Sequence, residues 1–231
     1  MELCIDTSTR YASVSCSDKG ELLQELTWRS QRNHSVELAP AVETLLARQK
    51  VSVKDLEAVF VAKGPGAFSA LRVGMSLAKS LSVGAEIPIV GISTSDVEVE
   101  PYIGICPNIV ALVPAGRERA YVATYVDGDI KEEDIVVRSY AEMDFDEIEN
   151  PFFCGEGLKD VLESEYAYLI NGKHARDVPP TRNASVLVKL GYGKLESGRI
   201  DDPMSLEPIY VRSAQIDSAD RSIKNLSLIH I

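Results

Sequence analysis

The sequence predicts an α/β fold of two similar lobes, the second degenerate. Three observations carry this. Three short strands come first and are followed by alternating helix and strand, the order of a mixed sheet. The same order of elements starts again past residue 107, with slight sequence identity between the halves. The chain has 231 residues and is 45% hydrophobic, enough for one large core or two small ones.

Glu2 to Asp6 is a short apolar strand that ends in Asp6-Thr7-Ser8-Thr9. Tyr11 to Ser17 alternates, with Ala12, Val14 and Cys16 on one face. Asp18-Lys19-Gly20-Glu21 makes a hairpin turn, and Leu22 to Trp28 returns as a third strand. Asn33 caps a helix through about Gln49, with an apolar stripe of Val36, Leu38, Ala39, Val42, Leu45 and Leu46. Leu56 to Val61 is a strand, Ala67 to Gly84 a helix and Ile87 to Ile92 a strand. In the second half, Asn108 to Val113, Ala120 to Val126 and Ile130 to Arg138 are strands, with Asp127-Gly128-Asp129 as a hairpin turn. An acidic linker leads to a strand at Phe152-Phe153-Cys154, which enters Gly155-Glu156-Gly157 and a short helix. Ala167 to Ile170 reads as a strand and Thr181 to Leu195 as a helix.

The boundary near Pro101 to Pro107 divides the chain into lobes of 1–103 and 104–213, with 214–231 as a tail. The last six residues, Leu226-Ser227-Leu228-Ile229-His230-Ile231, are apolar after a polar stretch. CTG TCT CTT ATA CAC ATC, the end of a transposase sequencing adapter, translates to the same string. These residues are read as a sequencing artefact and kept out of fold reasoning, so the natural C-terminus is expected to differ.

Net charge is −11, with acidic runs at Glu132-Glu133-Asp134 and Glu142 to Glu149. Nucleic-acid binding by the chain alone is disfavoured, because phosphate neutralisation needs clustered Lys and Arg. Docking on a basic protein partner suits this balance, and solubility alone explains it equally well. The four cysteines, at 4, 16, 106 and 154, have no metal-type spacing and read as buried thiols of a reducing cytoplasm. Met1 to Asp6 runs straight into a strand, so no signal peptide is expected. No apolar run reaches membrane-spanning length.

Ala62 to Gly74 is the most informative stretch. Gly64-Pro65-Gly66 joins a strand to a helix through a tight turn, because Pro fixes φ and Gly supplies dihedrals other residues avoid. Backbone N–H groups at that helix N-terminus are placed to meet a phosphate. The turn lacks the Lys-Ser/Thr end of a Walker loop and the G-x-G-x-x-G spacing of a dinucleotide fold.

Ile5-Asp6-Thr7-Ser8-Thr9, His34-Ser35 opening a helix, Gly64-Pro65-Gly66-Ala67-Phe68-Ser69-Ala70-Leu71-Arg72-Val73-Gly74, Ala78-Lys79-Ser80-Leu81 and Pro88-Ile89-Val90-Gly91-Ile92-Ser93-Thr94 occur in that order. Together they resemble the TsaB (YeaZ) family of tRNA threonylcarbamoyladenosine biosynthesis proteins. The likeness continues more weakly through Gly155-Glu156-Gly157 and Pro208-Ile209-Tyr210-Val211-Arg212. It implies the actin-like ATPase (ASKHA) fold of two ribonuclease-H-like lobes, the second degenerate. It also implies that the first lobe binds TsaD, the catalytic subunit, which carries threonylcarbamoyl from its adenylate to the adenosine beside the anticodon. TsaE, a small ATPase, completes that assembly. The resemblance implies no cofactor for this chain itself, with ATP and metal belonging to partner subunits. A heterodimer with TsaD, a homodimer when alone, and contact with tRNA only through the complex are the expected associations.

In active members of that superfamily, the aspartate ending the first strand and the hydroxyls after it meet phosphate or metal. Asp6, Thr7, Gly64 and Gly66 are therefore phosphate-site candidates, and the alternative is a turn in which Asp6 and Thr7 cap local N–H groups. Catalytic relatives carry His-x-x-x-His after the strand that matches Pro88 to Ile92, so that both imidazoles reach one metal from one helix face. The matching residues here are Thr94 and Glu98, and with three histidines in the chain (34, 174 and 230) no such pair exists. No metal site and no catalytic residue is expected. Where family members read Asp-Ala-Arg in the second lobe, this chain reads Pro114-Ala115-Gly116. Gly155-Glu156-Gly157 either approaches a nucleobase or is a plain strand-to-helix turn.

His34, Ala70, Val73, Gly74, Leu77 and Ala78 are the partner-interface candidates. Ala70, Gly74 and Ala78 make a small-residue stripe that would let another helix approach, or would pack tightly within the lobe. Val73, Leu77, Leu81 and Val83 are expected on the sheet, and His34 is expected to be exposed or at an interface. The sequence thus points to a non-catalytic scaffold subunit that binds TsaD. The alternatives are a weak actin-like nucleotide hydrolase or kinase, which saturable ATP binding lost on Asp6→Ala would favour, and a homodimeric interaction module.

Overall fold

The computed structural model describes residues 1–130 and 134–211. The first sheet comprises β1 (Glu2–Asp6), β2 (Tyr11–Asp18), β3 (Glu21–Arg29), β4 (Ala58–Gly64) and β5 (Ile89–Ser93), in the order β3-β2-β1-β4-β5. β1 to β3 form an antiparallel meander, and β1, β4 and β5 run parallel. α1 (His34–Gln49) precedes β4, and α2 (Phe68–Ala85) follows it.

Alternation along these strands decides which side chains meet which helix. Leu3, Ile5, Val59, Val61 and Ile89 point to one face, where Leu38, Val42, Leu45 and Leu46 of α1 and Met75 and Ala78 of α2 cover them. Cys4, Ala58, Phe60, Val90 and Ile92 point to the other.

The chain then crosses on α3 (Thr94–Val99), whose Val97 lies in the first lobe's core and Val99 in the second's. The second sheet holds β6 (Asn108–Pro114), β7 (Arg119–Val126), β8 (Val136–Ser139), β9 (Phe152–Cys154) and β10 (Lys173–His174), in the order β10-β9-β6-β7-β8. Strand for strand this repeats the first sheet, with an antiparallel β6-β7-β8 meander and parallel β9 and β10. Degeneracy lies in the short last two strands and in the loop with a 3-10 turn, Tyr140–Glu142, where the first lobe has α1. α4 (Gly157–Leu162) covers one face through Leu158 and Val161.

Three expectations need correction. Ala167–Leu169 is a 3-10 turn, and Lys173–His174 is the strand beside β9. Four apolar residues suit either element, and Tyr166, Leu169 and Ile170 reach the core at a spacing near three. The last helix, α5 (Ala184–Glu196), belongs physically to the first lobe, because Leu187 and Val188 pack on Phe60, Val90 and Ile92. Gly191 permits this contact, since a Cβ there would lie 2.4 Å from the Phe60 ring. Beyond α5 the chain returns along β5, where Asp201 accepts the Gly91 N–H at 2.7 Å. Finally, Asn33 occupies the α1 N-cap position without a side-chain hydrogen bond; its carbonyl takes the Val36 and Glu37 N–H groups.

The expected strand Ile130 to Arg138 is β8 in its described part, with 131–133 outside the described residues. Arg212, the tail 214–231 and the six terminal residues also lie outside them. Among the described residues, no helix is long and apolar enough to cross a membrane.

Candidate functional site

The C-terminal ends of β1, β4 and β5 open toward the second lobe, as in other parallel arrangements where loops at strand ends form the site. Asp6 lies there, buried. Its Oδ1 accepts the Ser8 N–H at 2.8 Å and the Ser8 hydroxyl at 2.5 Å, the local turn that Asp favours. Its Oδ2 accepts the Arg182 Nε–H at 2.7 Å. Thr7 turns away from the cleft, and its hydroxyl donates to the Ala70 carbonyl at 2.7 Å. Gly64 has φ +100, a value that favours glycine, and the Gly64–Pro65 bond is cis. Gly66 is pressed on the first loop: the Ala67 N–H donates to Ser8 O at 2.7 Å, and Tyr121 of the second lobe donates to Gly66 O at 3.2 Å. The structure therefore brings Asp6, Thr7, Gly64 and Gly66 together, with the turn wedged against the Asp6–Thr9 loop.

Arg182 is the residue that no sequence pattern marked. It sits just before α5, 176 residues from Asp6. Its Nη1 donates to Glu156 Oε2 at 2.8 Å and lies 3.4 Å from Glu98 Oε1, and its Nη2 donates to Thr9 Oγ1 at 2.7 Å and Tyr11 O at 3.1 Å. Glu156 also accepts the Thr9 hydroxyl at 2.6 Å, so Gly155-Glu156-Gly157 ties the lobes together. The flanking glycines are required there, because a Cβ at Gly155 or Gly157 would stand 2.6 or 2.9 Å from the Leu112 carbonyl oxygen.

Thr94 and Glu98 share the inner face of α3, as their spacing predicts, and both are buried. Glu98 Oε1 accepts the Thr181 hydroxyl at 2.7 Å and the Glu156 N–H at 3.1 Å. With Thr94 beside it and Arg182 on both Glu98 and Asp6, these residues do not fit a metal. Burial holds the Glu98 carboxyl above its ordinary value of 4.5, opposed by the Arg182 charge. The folded state therefore binds the proton more tightly than the unfolded chain. Stability from this group is present at low pH and is lost as pH rises from 4.5 through the raised value. Glu98→Gln keeps an acceptor without that titration. Thermal melts should show its Tm rising relative to the parent across that window, and a constant difference would contradict the assignment.

A cavity of about 1150 Å³ opens between the lobes. Arg10, Arg29, Arg32 and Arg117 line it, together with Pro114 and the first residues of α1 and α2. Its acidic lining residues, Glu156 and Asp160, are both within 3.4 Å of Arg10. The cavity is thus positive in a chain of net charge −11. A second acidic group, Glu2, Asp18 and Glu57, lies at the opposite end of β1. There the Glu2 oxygens already accept Ser17 Oγ and the Lys19 N–H.

His34 is buried, with Nε2 3.0 Å from Thr9 O, correcting its expected exposure. Ala70, Gly74 and Ala78 are buried as well and face the lobe's own sheet. A Cβ on Gly74 would lie 2.3 Å from Thr7 Oγ1, which is why the helix needs glycine there. Val73 and Leu77 are half-buried, and Val83 is exposed rather than on the sheet. The thiols of Cys4 and Cys16 are pushed up to about 12 and about 11 by burial, so they stay protonated and inert.

Residues 25–155, more than half of the chain, match the family described as TsaD, tRNA N6-adenosine threonylcarbamoyltransferase. The tRNA threonylcarbamoyladenosine biosynthesis protein TsaB of Buchnera aphidicola (subsp. Schizaphis graminum) is 37% identical over 92 residues, 40% of this chain and 43% of that one. TsaB of Haemophilus influenzae is 30% identical over 128 residues, 54% of this chain and 53% of that protein. The matched part thus spans about half the length of these relatives. A solved Pseudomonas aeruginosa structure described as YeaZ superposes with a TM-score of 0.70 at 20% identity, covering 91% of this chain and 99% of that one. An activator of 2-hydroxyisocaproyl-CoA dehydratase from Clostridium difficile, solved with ADPNP, shares the fold at a TM-score of 0.50 and 10% identity, over 85% of this chain and 95% of that one. By its duplicated sheets, its strand-end loops and these matches, the chain belongs to the TsaD-type family of actin-like, two-lobed proteins, and within it to the TsaB (YeaZ) family.

Proposed function

We propose that this chain is a non-catalytic subunit of the machinery that adds threonylcarbamoyl to the adenosine beside the anticodon of tRNA, and that it acts by binding and activating TsaD. One observation carries the non-catalytic half of this reading. Asp6 and Glu98, the acidic groups placed for phosphate or metal chemistry, are both held by the side chain of Arg182. A general base or metal ligand needs a free lone pair aimed at the substrate, whereas both Asp6 oxygens and Glu98 Oε1 are engaged inside the protein.

The docking half rests on the outer face of α1 and α2, which lie side by side on the first sheet. Val36, Ala39 and Pro40 of α1 and Ser69, Arg72 and Ser76 of α2 are exposed there, with Val73 and Leu77 half-buried among them. Small and apolar groups on two parallel ridges suit packing against helices of a partner built on the same plan. In isolation the same face would pair two copies of the chain.

Given tRNA and threonylcarbamoyl adenylate as donor, the purified chain should show no threonylcarbamoyl transfer, and should support transfer when TsaD and TsaE are added, co-purifying with TsaD. Transfer by the chain alone would overturn the reading. The arginine-lined cavity favours a second reading, a nucleotide-binding protein of the actin-like type. Saturable ATP binding to the isolated chain, weakened by Arg32→Ala, is the calorimetric outcome that would favour it.

A further inference from the structure

A guanidinium has five N–H donors in a fixed planar fork. In this protein all five of Arg182 are used. They go to Asp6 Oδ2, Glu156 Oε2, Glu98 Oε1, Thr9 Oγ1 and Tyr11 O at 2.7, 2.8, 3.4, 2.7 and 3.1 Å. The side chain is 4% exposed, and those of Asp6, Glu98 and Glu156 are 5%, 1% and 0% exposed. The acceptors come from three places. Asp6, Thr9 and Tyr11 belong to the first lobe, Glu156 opens α4 of the second, and Glu98 rides on the crossing helix α3. Arg182 itself lies outside both sheets, in the segment leading to α5.

We propose that Asp6, Thr9, Tyr11, Glu98 and Glu156 form a guanidinium-binding site between the lobes, that Arg182 is its tethered ligand, and that its occupancy holds the lobes closed. The charge balance requires an occupant. Without Arg182, three buried carboxylates would face one another with only Arg10, 39% exposed and 3.4 Å from Glu156, to offset them. Buried like charges are relieved by taking up protons or water, and Thr9 and Glu156 border the open cavity from which water would enter and spread the two walls. Other ties across the cleft run from Thr9 to Glu156, from Tyr121 to Gly66 O, from Tyr125 to Asp96 and from Arg10 to Asp160. None of them neutralises the cluster. The receptor is also selective by shape: an ammonium offers three donors from one point and cannot span five acceptors set around a plane.

The test is chemical rescue, and it does not depend on the docking reading. Arg182→Ala should lower Tm by roughly 10 °C. It should also speed amide exchange on both walls of the cleft, at residues 7–11 and 154–158. Methylguanidinium at tens of millimolar, far below denaturing concentration, should restore both readouts, whereas methylammonium at the same concentration should not. Arg182→Lys should resemble the alanine variant, since it keeps the charge and loses the fork. If Arg182→Ala does not fold unaided, refolding in each additive decides the matter: folded protein recovered with methylguanidinium alone supports the site. Recovery in neither additive, equal rescue by both, or unchanged exchange in Arg182→Ala would overturn it.

Discussion

Gly66→Ala is expected to be among the most damaging single substitutions in the protein. A Cβ at this position would stand 2.1 Å from the Ser8 carbonyl oxygen, 2.9 Å from its carbon and 3.1 Å from its Cβ. The obstacle is backbone, so no side-chain rotation clears it. Relief requires the turn and the Asp6–Thr9 loop to separate, which breaks the Ala67-to-Ser8 hydrogen bond and draws Gly66 O away from Tyr121. Overpacking of this kind costs about 3 kcal/mol or more when the backbone must move. For a chain of this size that corresponds to a fall in Tm of roughly 10 °C. Gly84→Ala is the control, because nothing lies within 4 Å of its would-be Cβ and it sits in α2. There the change should stabilise by about 0.5–1 kcal/mol through helix propensity. If Gly66→Ala melted like its parent, the wedge of the turn against the loop would be wrong.

Placing charges on the α1/α2 face should cut capture of TsaD at least ~10-fold, since a like or unpaired charge at an interface core costs several kcal/mol. Val36→Asp and Ser76→Arg are the informative variants, because Val36 is 69% exposed and Ser76 is also exposed. Each should leave Tm within about 2 °C of the parent, as surface changes usually do. A charge at Ala70 or Gly74 would not report on docking, since both are buried and either change would break the lobe first. Undiminished capture by both surface variants, measured by pull-down, would move the docking face elsewhere.

The difference between the small-residue stripe and the true outer face shows what local pattern leaves open. Ala70, Gly74 and Ala78 are equally suited to touching a partner helix or their own sheet. Proximity of Ile5 and Thr7 to Gly74 settles the matter, and those residues are more than sixty positions away in the chain. His34 follows the same logic. Its place at the start of a helix was legible, but its burial depends on the Thr9 carbonyl that meets its ring.

By itself the sequence determined the two-lobed α/β plan, because strand alternation and helix periodicity are short-range and the order of elements repeats. Its resemblance to catalytic relatives implied that Thr94 and Glu98 stand where those carry a histidine pair, and it left Asp6 open between a phosphate site and a local turn. Only the tertiary structure decided that α5 returns to the first lobe, where apolar burial on Phe60 outweighs chain order. It alone decided that Arg182 meets Asp6 across 176 residues, and so that Asp6 and one oxygen each of Glu98 and Glu156 are engaged by a single side chain. Such a contact leaves no periodic or adjacent mark in the chain. It exists because three buried carboxylates, gathered by three separate elements, need a cation that can reach all of them at once.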